Sequence, residues 1–206
     1  MITVWGRVSS TNVQKVLWTL EEIGVPYERV DCGREYGGLD TVEFRAMNPN
    51  GRIPVLKDGD VILWESNTIC RYLCRTRHGV ELFPEDPAHA AEVEKWMDWQ
   101  IATLWPSMRP MFFKARDMHD IAAAHGKEFE ATITEARRNI RILNETLEDR
   151  PYLAGDHFTL ADMPAAIALN RWLWIGFDLD GADHVQAWYK RLGKRPVFGE
   201  IVKASF

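Results

Sequence analysis

Two strand signals enclose one helix signal within the first thirty-two residues, and few architectures accept that order. "ITVWG" at 2–6 reads as a short buried strand. Val13, Val16, Leu17, Leu20 and Ile23 then recur at helical spacing, and Gly24 stops the helix. "PYERVDC" at 26–32 is a second strand by its β-branched and aromatic content. So short a crossover requires parallel strands joined in the right-handed sense. Residues 33–40 form a Gly-rich loop, and 41–47 hold at most a short helix. "RIPVLKDGDVILW", 52–64, is a hairpin around Asp58-Gly59, so its two strands are antiparallel. "ESNTICRYLCRTR", 65–77, follows as a helix.

The first 78 residues thus form a βαβ–ββα unit, a mixed four-stranded sheet with helices, which is the thioredoxin-like arrangement. "HGVELFPEDPAHA", 78–90, carries two prolines and a glycine and marks a boundary, with 79–88 as linker. Beyond it the signals are helical. Residues 89–117 read as one long helix bent by Pro106 and Pro110. In 127–149, Phe129, Ile133, Ala136, Ile140, Leu143 and Leu147 form a stripe facing a bundle core. "FTLADM", 158–163, carries a capping box of Thr159 and Asp162, and Phe158 can staple to Met163. Shorter helices near 183–192 and 196–203 follow. The expected fold is therefore α/β plus all-α, with an all-helical bundle domain over 89–206.

Composition removes several classes of function. The net charge of −5 has both signs interspersed, which favours neither nucleic acid nor an anionic membrane. No apolar run approaches the ~20 residues of a membrane span. The opening "MITVWGR" lacks the basic-then-apolar layout of a signal peptide, so a cytoplasmic protein is expected. Three cysteines, Cys32, Cys70 and Cys74, suit reduced thiols. Cys70 and Cys74 lie four apart on a helix, but no further ligand completes a metal site, and packing beside Ile69 and Leu73 explains them.

Three turns carry the chemistry. In "WGRVSSTN", 5–12, small hydroxyl residues and an asparagine sit where a strand ends and a helix starts. They either cap the helix or hold something negatively charged at its N-terminus. In "NPNGRIPVL", 48–56, Pro54 stands where a strand begins. A trans bond there is an ordinary strand start; a cis Ile53–Pro54 bond would leave Ile53's N–H and C=O to pair with an extended peptide. In "WESNT", 64–68, Ser66 caps a helix whose end suits a carboxylate, and Glu65 suits an ammonium. In a thioredoxin-like unit the three converge on one sheet edge and describe a site for a short thiol peptide.

Across essentially the whole chain the sequence resembles the cytosolic glutathione transferase family. "NPNGRIPVL" is similar to its cis-proline loop, "ESNTICRYL" to its glutamyl-binding turn, and "YLAGDHFTLADMPAA" to the capping-box segment of its helical domain. The resemblance implies glutathione as co-substrate, a small electrophile as its partner, and a homodimer. It implies that Ile53, beside Pro54, pairs with the cysteinyl part of glutathione. Glu65 and Ser66 would hold the γ-glutamyl end, and Arg52 would meet the glycyl carboxylate. Many members use a tyrosine in the first strand, where this chain has Trp5; others use a cysteine at the first helix, and none stands there. The serine or threonine-and-asparagine types remain, which makes Ser10 the expected activating residue, with Asn12 and Ser9 as alternatives.

The chemistry expected of such a site is thiolate attack. A thiol with a pKa near ~8.5 is mostly protonated at neutral pH. Lowering it by ~2 units needs about 2.7 kcal/mol, within reach of one charge-assisted hydrogen bond plus a helix dipole. Trp105, Met108, Arg109 and Phe112 recur at helical spacing and are the expected wall for the second substrate, with Trp172 and Trp174 as further contributors; core packing is the alternative for each aromatic. Two other functions fit the same residues. A bound glutathione thiolate can reduce a disulfide without a protein cysteine, and the fold also supports partner binding without catalysis.

Overall fold

A computed structural model describes residues 1–203. The chain forms two compact units: residues 1–85 together with the segment from Pro196, and Asp86–Arg195.

In the first unit, β1 (Ile2–Trp5), α1 (Thr11–Glu22) and β2 (Tyr27–Val30) make the crossover. They are followed by α2 (Val42–Met47), β3 (Val55–Asp58), β4 (Val61–Trp64) and α3 (Ser66–Thr76). The sheet order is β2-β1-β3-β4, with β1 and β2 parallel and the other pairs antiparallel. The β3–β4 register pairs Asp58 with Val61, so the two-residue loop is Gly59-Asp60, one step beyond the expected Asp58-Gly59. Gly59 supplies the positive φ (+60°) that such a turn requires.

Helix α1 departs from a one-faced amphipathic pattern: all its residues from Val13 to Leu20 are buried, Gln14, Lys15 and Thr19 included. The cause is distant in sequence. Residues 198–203 form a wide, π-helical segment that covers α1, with the Phe198 ring 5.3 Å from Trp18. Gln14 Nε2 donates to Ile201 O at 2.9 Å. The segment from Pro196 therefore packs with the first unit, where the sequence reading assigned all of 89–206 to the helical domain.

The second unit contains α4 (Pro87–Trp99), α5 (Arg109–Met118), α6 (Glu130–Thr146), α7 (Asp162–Trp174) and α8 (Asp183–Leu192). Asp86 caps α4 by accepting from His89 N, and Pro87 opens the helix where a missing N–H costs nothing. The long helix expected over 89–117 is two helices. After α4 the chain widens into a π-helical stretch over Gln100–Leu104, breaks, and restarts at Arg109 with Pro110 in the first turn of α5. Pro106 lacks the N–H that would carry the helix through, so the chain separates instead of bending. Ser107 stitches the break, donating to Leu104 O at 2.7 Å and accepting from Asn139 Nδ2 at 3.1 Å. On α6, Ala136, Ile140 and Leu143 are buried as the stripe requires, as is Leu147 just beyond the helix. Helix α7 is buried continuously from Asp162 to Trp172. Among the described residues no helix is long and apolar enough to cross a membrane.

Candidate active site

The sheet register brings the three turns together. Val30, Trp5, Val55 and Trp64 form one row across all four strands. The chain leaves β1 after Trp5, enters β3 at Val55 and leaves β4 after Trp64, so the turns at Gly6–Ser10, Ile53–Pro54 and Glu65–Ser66 share that end. The first two also touch. A Cβ added at Gly6 (φ +151°) would lie 2.4 Å from Val13 Cγ2 and 3.3 Å from Ile53 Cβ. Any larger residue at Gly6 would push the two turns apart.

The Ile53–Pro54 peptide is cis, and Pro54 is buried. Ile53 is half-buried, packing against a small core of Cys32, Phe44 and Val55. Among the described residues, no hydrogen bond engages its main-chain N–H or C=O. Asn48 fixes the approach by donating to Arg52 O at 2.7 Å, while the Arg52 side chain is exposed.

Ser10 occupies the N-cap of α1 with extended backbone (φ −80°, ψ 123°), and its carbonyl accepts from Gln14 N at 2.9 Å. Its hydroxyl, however, makes no capping hydrogen bond, and the first turn of α1 holds no acidic residue. The positive end of the helix is thus left without an anionic partner of its own. Ser9 is half-buried and Asn12 exposed beside it.

At α3 the sequence reading placed Ser66 at the cap. The structure gives that position to Glu65 and makes Ser66 the first helical residue, buried at 2% exposure. The backbone explains the shift: Glu65 has φ +72° and ψ 106°, which no helical residue can have. Such a conformation in a non-glycine residue costs about 1–3 kcal/mol and persists where its surroundings impose it. Two residues escaped the sequence reading. Lys15 is buried within α1, and its Nζ donates to Asn67 Oδ1 at 3.4 Å. The signal available was a lysine inside the apolar run "VQKVLW".

The three protein thiols are held in their neutral form. Burial pushes Cys32 and Cys70 up to about 11, and Cys74 is raised for the same reason. All three are therefore thiols near neutral pH. Among the described residues no group of three His, Cys, Asp or Glu side chains could hold a metal ion.

This geometry has close relatives. Residues 1–75 match the model of the glutathione S-transferase N-terminal domain, and residues 96–196 that of the C-terminal domain. The chain is 38% identical to glutathione S-transferase GstB of Escherichia coli over 98% of both chains. It is 31% identical to a probable glutathione S-transferase, GSTF2, of rice, over 94% of this chain and 92% of that one. A theta class glutathione S-transferase from Xanthomonas axonopodis pv. citri, solved with glutathione bound, superposes with a TM-score of 0.87 at 36% identity, over 98% and 96% of the two chains. The chain belongs to the glutathione S-transferase family.

Within this family member the residues expected to form the second-substrate wall divide. Met108 is fully buried, and Trp172 is too, stacked on Phe177 at 4.0 Å with its Nε1 donating to Asp178 O. Both are packed in the core of the helical unit, so neither offers surface to a ligand in this structure. Phe112 is 6% exposed and sits at the centre of an aromatic group, 5.8 Å from Trp105 and 5.6 Å from Trp174. Trp105 and Trp174 are half-buried, and Arg109 is exposed with its guanidinium 5.2 Å from the Phe113 ring. These keep surface on which a ligand can rest.

Proposed function

We propose that this glutathione S-transferase activates the glutathione thiol through Ser10 and transfers it to a small electrophile. The observation that carries the reading is the Ser10 hydroxyl, placed at a helix N-terminus and bound to nothing within the helix it caps. A thiolate seated there would accept the hydroxyl hydrogen bond and lie at the positive end of α1, and both favour the anion. Ser10 acts as an oriented donor and stays protonated throughout. Ile53 pairs through its main chain with the cysteinyl residue, Glu65 and Ser66 take the γ-glutamyl end, and Arg52 takes the glycyl carboxylate. Asn12 and Ser9 flank the thiol as secondary donors. In the helical unit, Trp105, Arg109 and Phe112 are the residues assigned to the electrophile.

The enzyme acts in the cytoplasm, in keeping with three free thiols. It works as a homodimer, which the exposed apolar residues of the sheet-edge strand support: Val61, Ile62 and Trp64 of β4 each keep about 40% of their surface.

The test is a pH titration of bound glutathione, followed by thiolate absorbance, in the wild type and in Ser10→Ala. The wild type should hold the thiol pKa well below ~8.5. Ser10→Ala should raise it by about 1–2 units and reduce kcat by roughly 10–100-fold, leaving glutathione affinity nearly unchanged. Retention of the shift in Ser10→Ala with its loss in Asn12→Ala would overturn the assignment and favour disulfide reduction.

A further inference from the structure

Lys15 is 1% exposed, a position lysine rarely takes. It lies on α1 one helical turn beyond Thr11, and its ammonium reaches across to α3, where the acceptor, Asn67 Oδ1, is itself buried at 5% exposure. Cys70 and Glu65 lie near enough that their ionised forms would favour its charge, and Arg71 opposes it. Burial draws the ammonium down to about 8. Keeping a charge in such a place is costly unless its contacts are required. What it contacts is Asn67, two residues beyond Glu65, whose backbone is strained at φ +72°.

We infer that Lys15 is a positioning residue for the γ-glutamyl end of glutathione, holding Asn67 so that the strained Glu65–Ser66 turn just before it stays fixed against α1. The inference rests on the proposed glutathione site. Lys15 touches no substrate. It ties the start of α3 to the helix that begins at Ser10, so its loss loosens the turn assigned to the amino-acid end while the Ser10 turn keeps its own place.

Affinity and activation separate this role from that of Ser10. S-methylglutathione keeps the γ-glutamyl end and has no thiol to ionise, so its binding by calorimetry reports the turn alone. Lys15→Met is expected to weaken S-methylglutathione and glutathione alike by about tenfold, while the pKa of the bound glutathione thiol stays at its wild-type value. Asn67→Ala removes only the acceptor and should weaken both ligands in the same direction; it carries the test if Lys15→Met does not fold. The double variant should bind no worse than the weaker single, because both changes cut one connection. Wild-type affinity in Lys15→Met or Asn67→Ala would overturn the proposal, as would loss of the thiol shift with affinity intact. If the wild-type enzyme bound neither ligand, the glutathione site itself would fail, a result distinct from either variant outcome.

Discussion

Two helices in this chain begin with the same kind of sequence signal and use it in opposite ways. At α7, Thr159 and Asp162 satisfy one another. Asp162 Oδ2 accepts from Thr159 N at 3.0 Å, and Thr159 Oγ1 accepts from Ala161 N at 3.3 Å. The other Asp162 oxygen accepts from Leu153 N at 3.0 Å and from Trp188 Nε1 at 2.8 Å, tying a loop and α8 to the helix start. Everything there is buried and engaged. At α1, Ser10 has the right position and leaves its hydroxyl without a capping bond. The first arrangement holds the fold together. The second leaves a hydroxyl at a helix N-terminus without a capping bond.

The largest effect that would break this contrast lies at Asp162. Asp162→Ala leaves three buried N–H donors, those of Leu153, Thr159 and Trp188, without an acceptor. At about 1–3 kcal/mol for each unsatisfied buried group, a loss of about 3–5 kcal/mol is expected, read from urea unfolding. A loss under ~1 kcal/mol would mean that Asp162 caps α7 and does little else. A pH series sharpens the point. Burial outweighs those bonds and pushes the Asp162 carboxyl up to about 6 from its ordinary 3.8. The folded state then holds a proton that the unfolded chain has released, so Asp162's contribution to stability is greatest below about pH 4 and declines as pH rises through about 6. The stability gap between wild type and Asp162→Asn should narrow over that window and stay flat above it. A gap that widened would show that the hydrogen bonds outweigh desolvation.

How far the sequence discloses all this follows the range of each signal. Strand content, helical spacing and turn residues are local, and they place the βαβ–ββα unit, the three turns and the capping box. The paired turns are also legible, because sheet topology alone puts the ends of β1 and β4 and the start of β3 in one row. What was not legible depends on partners far away in the chain. Lys15 meets Asn67 across 52 positions, and Gln14 meets Ile201 across 187, so α1 reads as one-faced although it is buried all round. Pro106 was visible, but whether a proline bends a helix or ends it depends on its surroundings, and here the Ser107 hydroxyl, held by Asn139, takes the Leu104 carbonyl at the break. The same limit applies to Ser10: a hydroxyl that caps and one that does not are written with the same letter.

The smallest effect on stability is the one that decides the comparison. Thr159→Ala removes the buried acceptor of Ala161 N ahead of α7 and should cost about 1 kcal/mol, with kcat unchanged. Ser10→Ala removes a hydroxyl that caps nothing, so it should cost less than ~0.5 kcal/mol while reducing kcat by roughly 10–100-fold. The pair is informative because serine and threonine hydroxyls have the same hydrogen-bonding capacity, and Thr159, two residues before the N-cap Ala161, uses its hydroxyl within the fold, so any inversion between stability and activity must come from where each hydroxyl is directed. If Ser10→Ala instead lost as much stability as Thr159→Ala and kept its turnover, the hydroxyl would be capping α1 in solution, and the thiol would have to be activated by Asn12 or Ser9.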